Sequence, residues 1–84
     1  MSISSNNILA NDDLIKESFD VLSNNIKIIK KQNVIYIIDN NKEKVIAKII
    51  LNDYGTIINL LLPRKLGYLN SYILSKLHGL TYKN

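Results

Sequence analysis

Between residues 26 and 62 the chain carries four short runs rich in β-branched and aliphatic residues, each closed by turn formers, and this limits the fold more than any other feature. Residues 26–31 form the first run, ended by Gln32-Asn33. Residues 34–38 form the second, followed by Asp39-Asn40-Asn41-Lys42-Glu43. The third covers 44–51 and ends at Asn52-Asp53-Tyr54-Gly55, and the fourth covers 56–62. Runs of this length between turn signals read as strands. Connections this short join antiparallel neighbours, because a parallel crossover needs about a dozen residues. Gly55 stands where the turn needs a positive φ, which costs glycine little.

Helical signals flank the strands. Asn11-Asp12-Asp13 supplies N-capping side chains and acids that suit the positive end of a helix dipole. Leu14, Ile15, Phe19 and Leu22 then recur at helical spacing, and Ser23-Asn24-Asn25 ends the helix. Pro63 fits the first turn of a second helix, since its missing N–H has no partner to lose there. Leu66, Leu69, Ile73 and Leu77 form that helix's apolar stripe, with Gly79 as a left-handed cap and Leu80 folding back. The expected fold is α+β: an N-terminal helix, a three- or four-stranded antiparallel meander and a C-terminal helix. Residues 1–10 are polar and aperiodic and read as a flexible arm, leaving 11–84 as a single domain.

The faces of the strands bear on association. Ile35 and Ile37 point one way, and Val34, Tyr36 and Ile38 the other. On the third strand Val45, Ala47, Ile49 and Leu51 share a face, with Ile46 and Ile50 flanking Lys48 opposite. A sheet covered on one side only should alternate apolar and polar residues, and this one is apolar on both. Either the helices divide between the faces or the second face meets another chain. The candidate interface is Ile35, Ile37, Ile46 and Ile50, in a homodimer or larger assembly. Size points the same way: a chain of 84 residues without cysteine has a small core and no disulfide to reinforce it.

Catalysis finds no support in the residues. His78 is the single histidine, so no Ser-His-Asp set can be assembled, and it suits the last turn of a helix. Asp12 and Asp13 read as capping residues. Asp39, Glu43 and Asp53 read as solvated loop acids, not metal ligands. The three glycines stand apart at 55, 67 and 79, so there is no phosphate-binding glycine loop. We expect no enzyme activity, no metal and no cofactor. No apolar run approaches the ~20 residues that cross a bilayer, and Met1-Ser2-Ile3-Ser4-Ser5 lacks the pattern of a signal peptide. A cytoplasmic location follows as the expectation, or a host cytoplasm for a viral protein.

Charge is unevenly distributed. Residues 1–25 carry Asp12, Asp13, Glu17 and Asp20 against Lys16, a net of −3, whereas residues 26–84 carry a net of +7. Such asymmetry points to a nucleic acid or an acidic partner, although AT-rich codon usage also enriches lysine. Arg64 and Lys65 open the second helix, where positive charge opposes the dipole unless an anion such as phosphate binds. Lys27, Lys30, Lys31 and Lys48 on the strands, with Lys42 and Lys44 beside them, extend that surface if they project the same way. Tyr36, Tyr54, Tyr68, Tyr72 and Tyr82 are able to stack on bases, but half-buried core positions are the expectation for them. Gly67, Ser71 and Ser75 form a small-residue stripe suited to close packing.

The order helix, antiparallel strands, helix, with Arg64 and Lys65 at the second helix's start, resembles double-stranded RNA-binding domains. The same layout resembles the small Alu-binding proteins of the signal recognition particle. In the former, basic residues opening the second helix grip phosphates, and the resemblance implies that role for Arg64 and Lys65. The likeness is one of layout, since Leu60-Leu61-Leu62-Pro63 stands where those domains carry a glycine- and lysine-rich signature. The leading expectation is a non-enzymatic nucleic-acid-binding module or ribonucleoprotein subunit, RNA-directed through backbone phosphates. The alternative is a protein-interaction module, such as a viral or phage inhibitor or an assembly subunit, docking through an apolar sheet face or edge.

Overall fold

The computed structural model describes residues 12–82, with side chains described for residues 12–77; the expected arm at 1–10 and the side chain of His78 lie outside these limits. Helix α1 spans Asp12–Ser18, strands β1 to β4 span Ile26–Lys31, Val34–Asp39, Lys44–Leu51 and Ile57–Leu61, and a 3-10 helix at Arg64–Leu69 leads into α2 at Asn70–Tyr82. The strands form one antiparallel sheet in the order β1-β2-β3-β4. The α+β meander read from the sequence is the observed fold, with four strands.

Turn chemistry sets the connections. Gln32 takes a φ of 53° in the two-residue link between β1 and β2, the left-handed conformation that tight hairpins use. Asp39 ends β2 and its Oδ1 accepts the N–H groups of Asn41 (2.9 Å) and Lys42 (3.2 Å). Between β3 and β4, Asn52 Oδ1 accepts from Tyr54 N (2.9 Å) and Thr56 N (3.0 Å), and Gly55 has a φ of 82°. That φ is one a larger residue adopts only with strain.

Both helices pack on the same face of the sheet, α1 over β1 and α2 over β4, and they touch each other. Ile15 and Phe19 from the N-terminal helical region and Ile73 and Leu77 from α2 are fully buried against Ile35, Ile37 and Ile49 of the central strands. The cross-strand register explains why: Ile28, Ile37 and Ala47 lie opposite one another, as do Lys30, Ile35, Ile49 and Leu60. Asp12 holds Lys30 at this face's β1 edge through a 2.6 Å ion pair. Burying one such isoleucine or leucine contributes about 1.5–3 kcal/mol.

Three details differ from the sequence expectation. Helix α1 stops at Ser18, whose Oγ donates to Leu14 O (3.1 Å), and Phe19 to Leu22 continue as a turn, with Leu22 N bonded to Phe19 O at 2.9 Å. Pro63 opens a 3-10 helix and not an α-helix, and α2 begins at Asn70. Helix α2 then runs through Gly79 to Tyr82, so Gly79 is not its cap.

Candidate nucleic-acid interface

The segment from Pro63 onward is fastened at two points. Pro63 O accepts Leu66 N at 2.8 Å, closing the first turn, and Asn70 Nδ2 donates to Leu60 O at 3.0 Å, tying the start of α2 to β4. With Ile73 and Leu77 buried and Leu69 half-buried against the core, the opposite side of the segment looks away from the sheet. Along the segment Arg64, Lys65, Tyr68, Tyr72 and Lys76 are all exposed, with Tyr72 and Lys76 flanking the buried stripe of α2. Tyr68 is 78% and Tyr72 50% accessible, and Lys76 Nζ lies 5.1 Å from the Tyr72 ring centroid. No aspartate or glutamate occurs after Asp53. The segment thus exposes two cations, two aromatic rings and a third cation in chain order, with no acid of its own. Helix α1, which packs against α2, carries the exposed acids Asp12, Asp13 and Glu17.

This arrangement corrects the expectation that the tyrosines are half-buried core residues: only Tyr36 is half-buried, while Tyr54, Tyr68 and Tyr72 are exposed. Tyr82 lies outside the described side chains. The signal was present in the sequence as a second period. Tyr68, Tyr72 and Lys76 each stand one residue before Leu69, Ile73 and Leu77, and so track the apolar stripe on its solvent side.

The sheet lysines do not join this surface. Lys27, Lys31 and Lys48 lie on the face that the helices leave open, as their cross-strand partners Ile38, Val34 and Tyr36 place them. Lys48 Nζ is 5.7 Å from the centroid of the Tyr36 ring. Lys30 belongs to the opposite, helix-covered face, where Asp12 holds it. One continuous basic surface from Arg64 through the strand lysines is therefore not formed. The helix-dipole argument for an anion at Arg64 and Lys65 also lapses, since the α-helix begins at Asn70, beyond both residues.

The interface expected from Ile35, Ile37, Ile46 and Ile50 needs correction as well. Ile35 and Ile37 have no exposed surface and form the intramolecular core. Ile46 is the extra residue of a bulge, because Ile37 pairs with Ala47 and Ile38 with Val45, and it packs against the core. The same bulge turns Val45 to the open face, away from Ala47. Of the four, only Ile50 lies on the open face, between Val34 and Asn59. That face also carries Ile29, Val34, Tyr36 and Ile38, all half-buried.

The loop acids are occupied or dispersed. Asp39 is buried and serves the β2–β3 loop, and Asp53 Oδ1 accepts from Asn33 Nδ2 at 3.0 Å. Among the described residues no three carboxylates, histidines or cysteines converge on a metal site, and no helix is long and apolar enough to cross a membrane. Gly67, Ser71 and Ser75 are exposed, so the small-residue stripe does not pack against the sheet.

Fold and surface together define a small α+β domain: a four-stranded meander with both helices on one face and a cationic, aromatic outer side. Comparison with protein-family models, curated proteins and solved structures finds no match to any of them.

Proposed function

We propose that the protein is a non-enzymatic nucleic-acid-binding module, RNA-directed, that takes single-stranded segments along the outer side of the 3-10 helix and α2. The observation that carries this reading is the exposed set Arg64, Lys65, Tyr68, Tyr72 and Lys76, with both rings open to solvent. Exposed rings give unstacked bases a platform, each worth about 1–3 kcal/mol, and the cations track the phosphates. Bases are unstacked chiefly in RNA loops and ends, which favours RNA over duplex DNA. The test is fluorescence anisotropy of a labelled oligouridine with two double variants. Arg64→Glu/Lys65→Glu abolishes binding on this reading, whereas Lys27→Glu/Lys31→Glu, on the opposite face, changes affinity by less than about threefold. Unchanged affinity in the first variant overturns the reading.

A second reading, a partner protein, is favoured by the apolar open face of the sheet. Ile29, Val34, Tyr36, Ile38 and Ile50 lie there, with Val45 and Leu61 exposed at 45% and 44%. A second copy placed face to face would set Lys27, Lys31 and Lys48 against their own counterparts. Like charges brought together raise the cost of association, so a partner bearing acids fits better.

A further inference from the structure

Strand β3 is longer than the neighbour that covers it. It runs from Lys44 to Leu51, but the ladder with β4 reaches only from Leu51 to Lys48, where Leu61 is the partner. The next residues of β4's path are Leu62 and Pro63. A proline has no N–H to give to a ladder, and at Pro63 the chain departs into the 3-10 helix. Residues 44–47 therefore have no strand beside them on the β4 side. At ~3.3 Å per residue, the uncovered edge is about 13 Å long.

A groove of ≈ 260 Å³ occupies the place that β4 vacates, lined by Val45–Lys48 on one side and Leu61–Pro63 on the other. Its walls are apolar, and Val45 and Leu61 are each nearly half exposed. Lys48 is the one charged residue in the lining, and Lys44 marks the far end of the uncovered edge.

We propose that this edge receives an extended segment of a partner protein, apolar and bearing acids, which adds to β3 as a short strand. Two features select that occupant. A strand edge offers N–H and C=O groups at the spacing of another peptide backbone, which a nucleic acid cannot match. Apolar walls with lysines at both ends suit alternating apolar and acidic side chains. The groove adjoins the surface assigned to nucleic acid, since its Pro63 wall leads into Arg64, but none of Arg64, Lys65, Tyr68, Tyr72 or Lys76 lines it.

The experiment titrates the ¹⁵N-labelled full chain with a blocked peptide of alternating glutamate and valine, following amide chemical shifts. Two control peptides accompany it: one with lysine for glutamate, and one N-methylated at alternate positions so that it cannot pair with a strand. The expected result is shifts centred on Val45 to Lys48 and on Leu61 and Leu62, with affinity about tenfold or more weaker for each control. Val45→Glu, at an exposed position, weakens the glutamate peptide by a similar factor while leaving oligouridine binding unchanged. The proposal falls if the glutamate peptide causes no shifts or shifts elsewhere, or if either control binds equally well. It falls also if oligouridine, and not the peptide, perturbs the β3 edge.

Discussion

Lys76 Nζ lies 5.1 Å from the centroid of the Tyr72 ring, one helical turn before it on the exposed side of α2. The pair contributes only about 0.5–1 kcal/mol as an exposed cation–π contact. Its larger consequence is positional, because it holds an ammonium group beside a ring that is half open to solvent. A base stacked on Tyr72 would bring its phosphate near a charge already in place.

Removing the rings separates binding from folding. Tyr68→Ala and Tyr72→Ala each weaken oligouridine binding by about 1–3 kcal/mol, roughly 5- to 150-fold, as measured by anisotropy. Tyr72→Phe retains the stacking surface and stays within about threefold. Thermal unfolding of all three variants stays within about 1 kcal/mol of the parent, since neither ring is part of the core and Tyr72→Ala loses only an exposed cation–π contact.

Affinity depends on salt in proportion to the phosphates neutralised. Three contacts, from Arg64, Lys65 and Lys76, give a slope of log K against log salt near −2 for a single strand. Raising salt from about 50 to about 200 mM then weakens binding roughly 18-fold. Lys76→Gln lowers the slope by about 0.7, while Lys30→Gln, on the helix-covered face, leaves it unchanged.

Neighbouring isoleucines on β2 report the two faces of the sheet. Ile37→Ala, beneath the helices, costs about 2–5 kcal/mol in chemical denaturation. Ile38→Ala, on the open face, costs less than about 2 kcal/mol. A domain of this size has about 4–12 kcal/mol in total, so the first variant loses a much larger share of its stability than the second.

The turn before β4 is held by Asn52 and Gly55. Asn52→Ala removes the acceptor of the Tyr54 and Thr56 amides and costs about 1–2 kcal/mol, and Gly55→Ala costs about as much through its positive φ. Denaturant titration of each variant checks the values.

The element order was legible because strand runs and turn residues agree locally: Gln32-Asn33, the Asp39 loop and Asn52–Gly55 all fall where the chain reverses. Which face the helices cover was not legible, because Ile35 and Ile38 are the same residue type on opposite sides. Only the docking of Ile15, Phe19, Ile73 and Leu77 decides between them. The bulge at Ile46 also escaped the alternation rule, since an extra residue flips Val45 without altering composition. Arg64 and Lys65 were visible as a basic pair, but not their place on a 3-10 turn, whose far end is tied to β4 by Asn70 bonding Leu60 across ten residues of chain. The open edge of β3 follows from Pro63, whose local sequence signal is that of a helix start.

The most direct test of the central claim is an amide chemical-shift map of the full chain titrated with an oligouridine at low salt. The account predicts perturbations concentrated at Arg64, Lys65, Tyr68, Tyr72 and Lys76, with the open sheet face largely silent. Perturbations centred on Lys27, Lys31 and Lys48, or none at all, would contradict it.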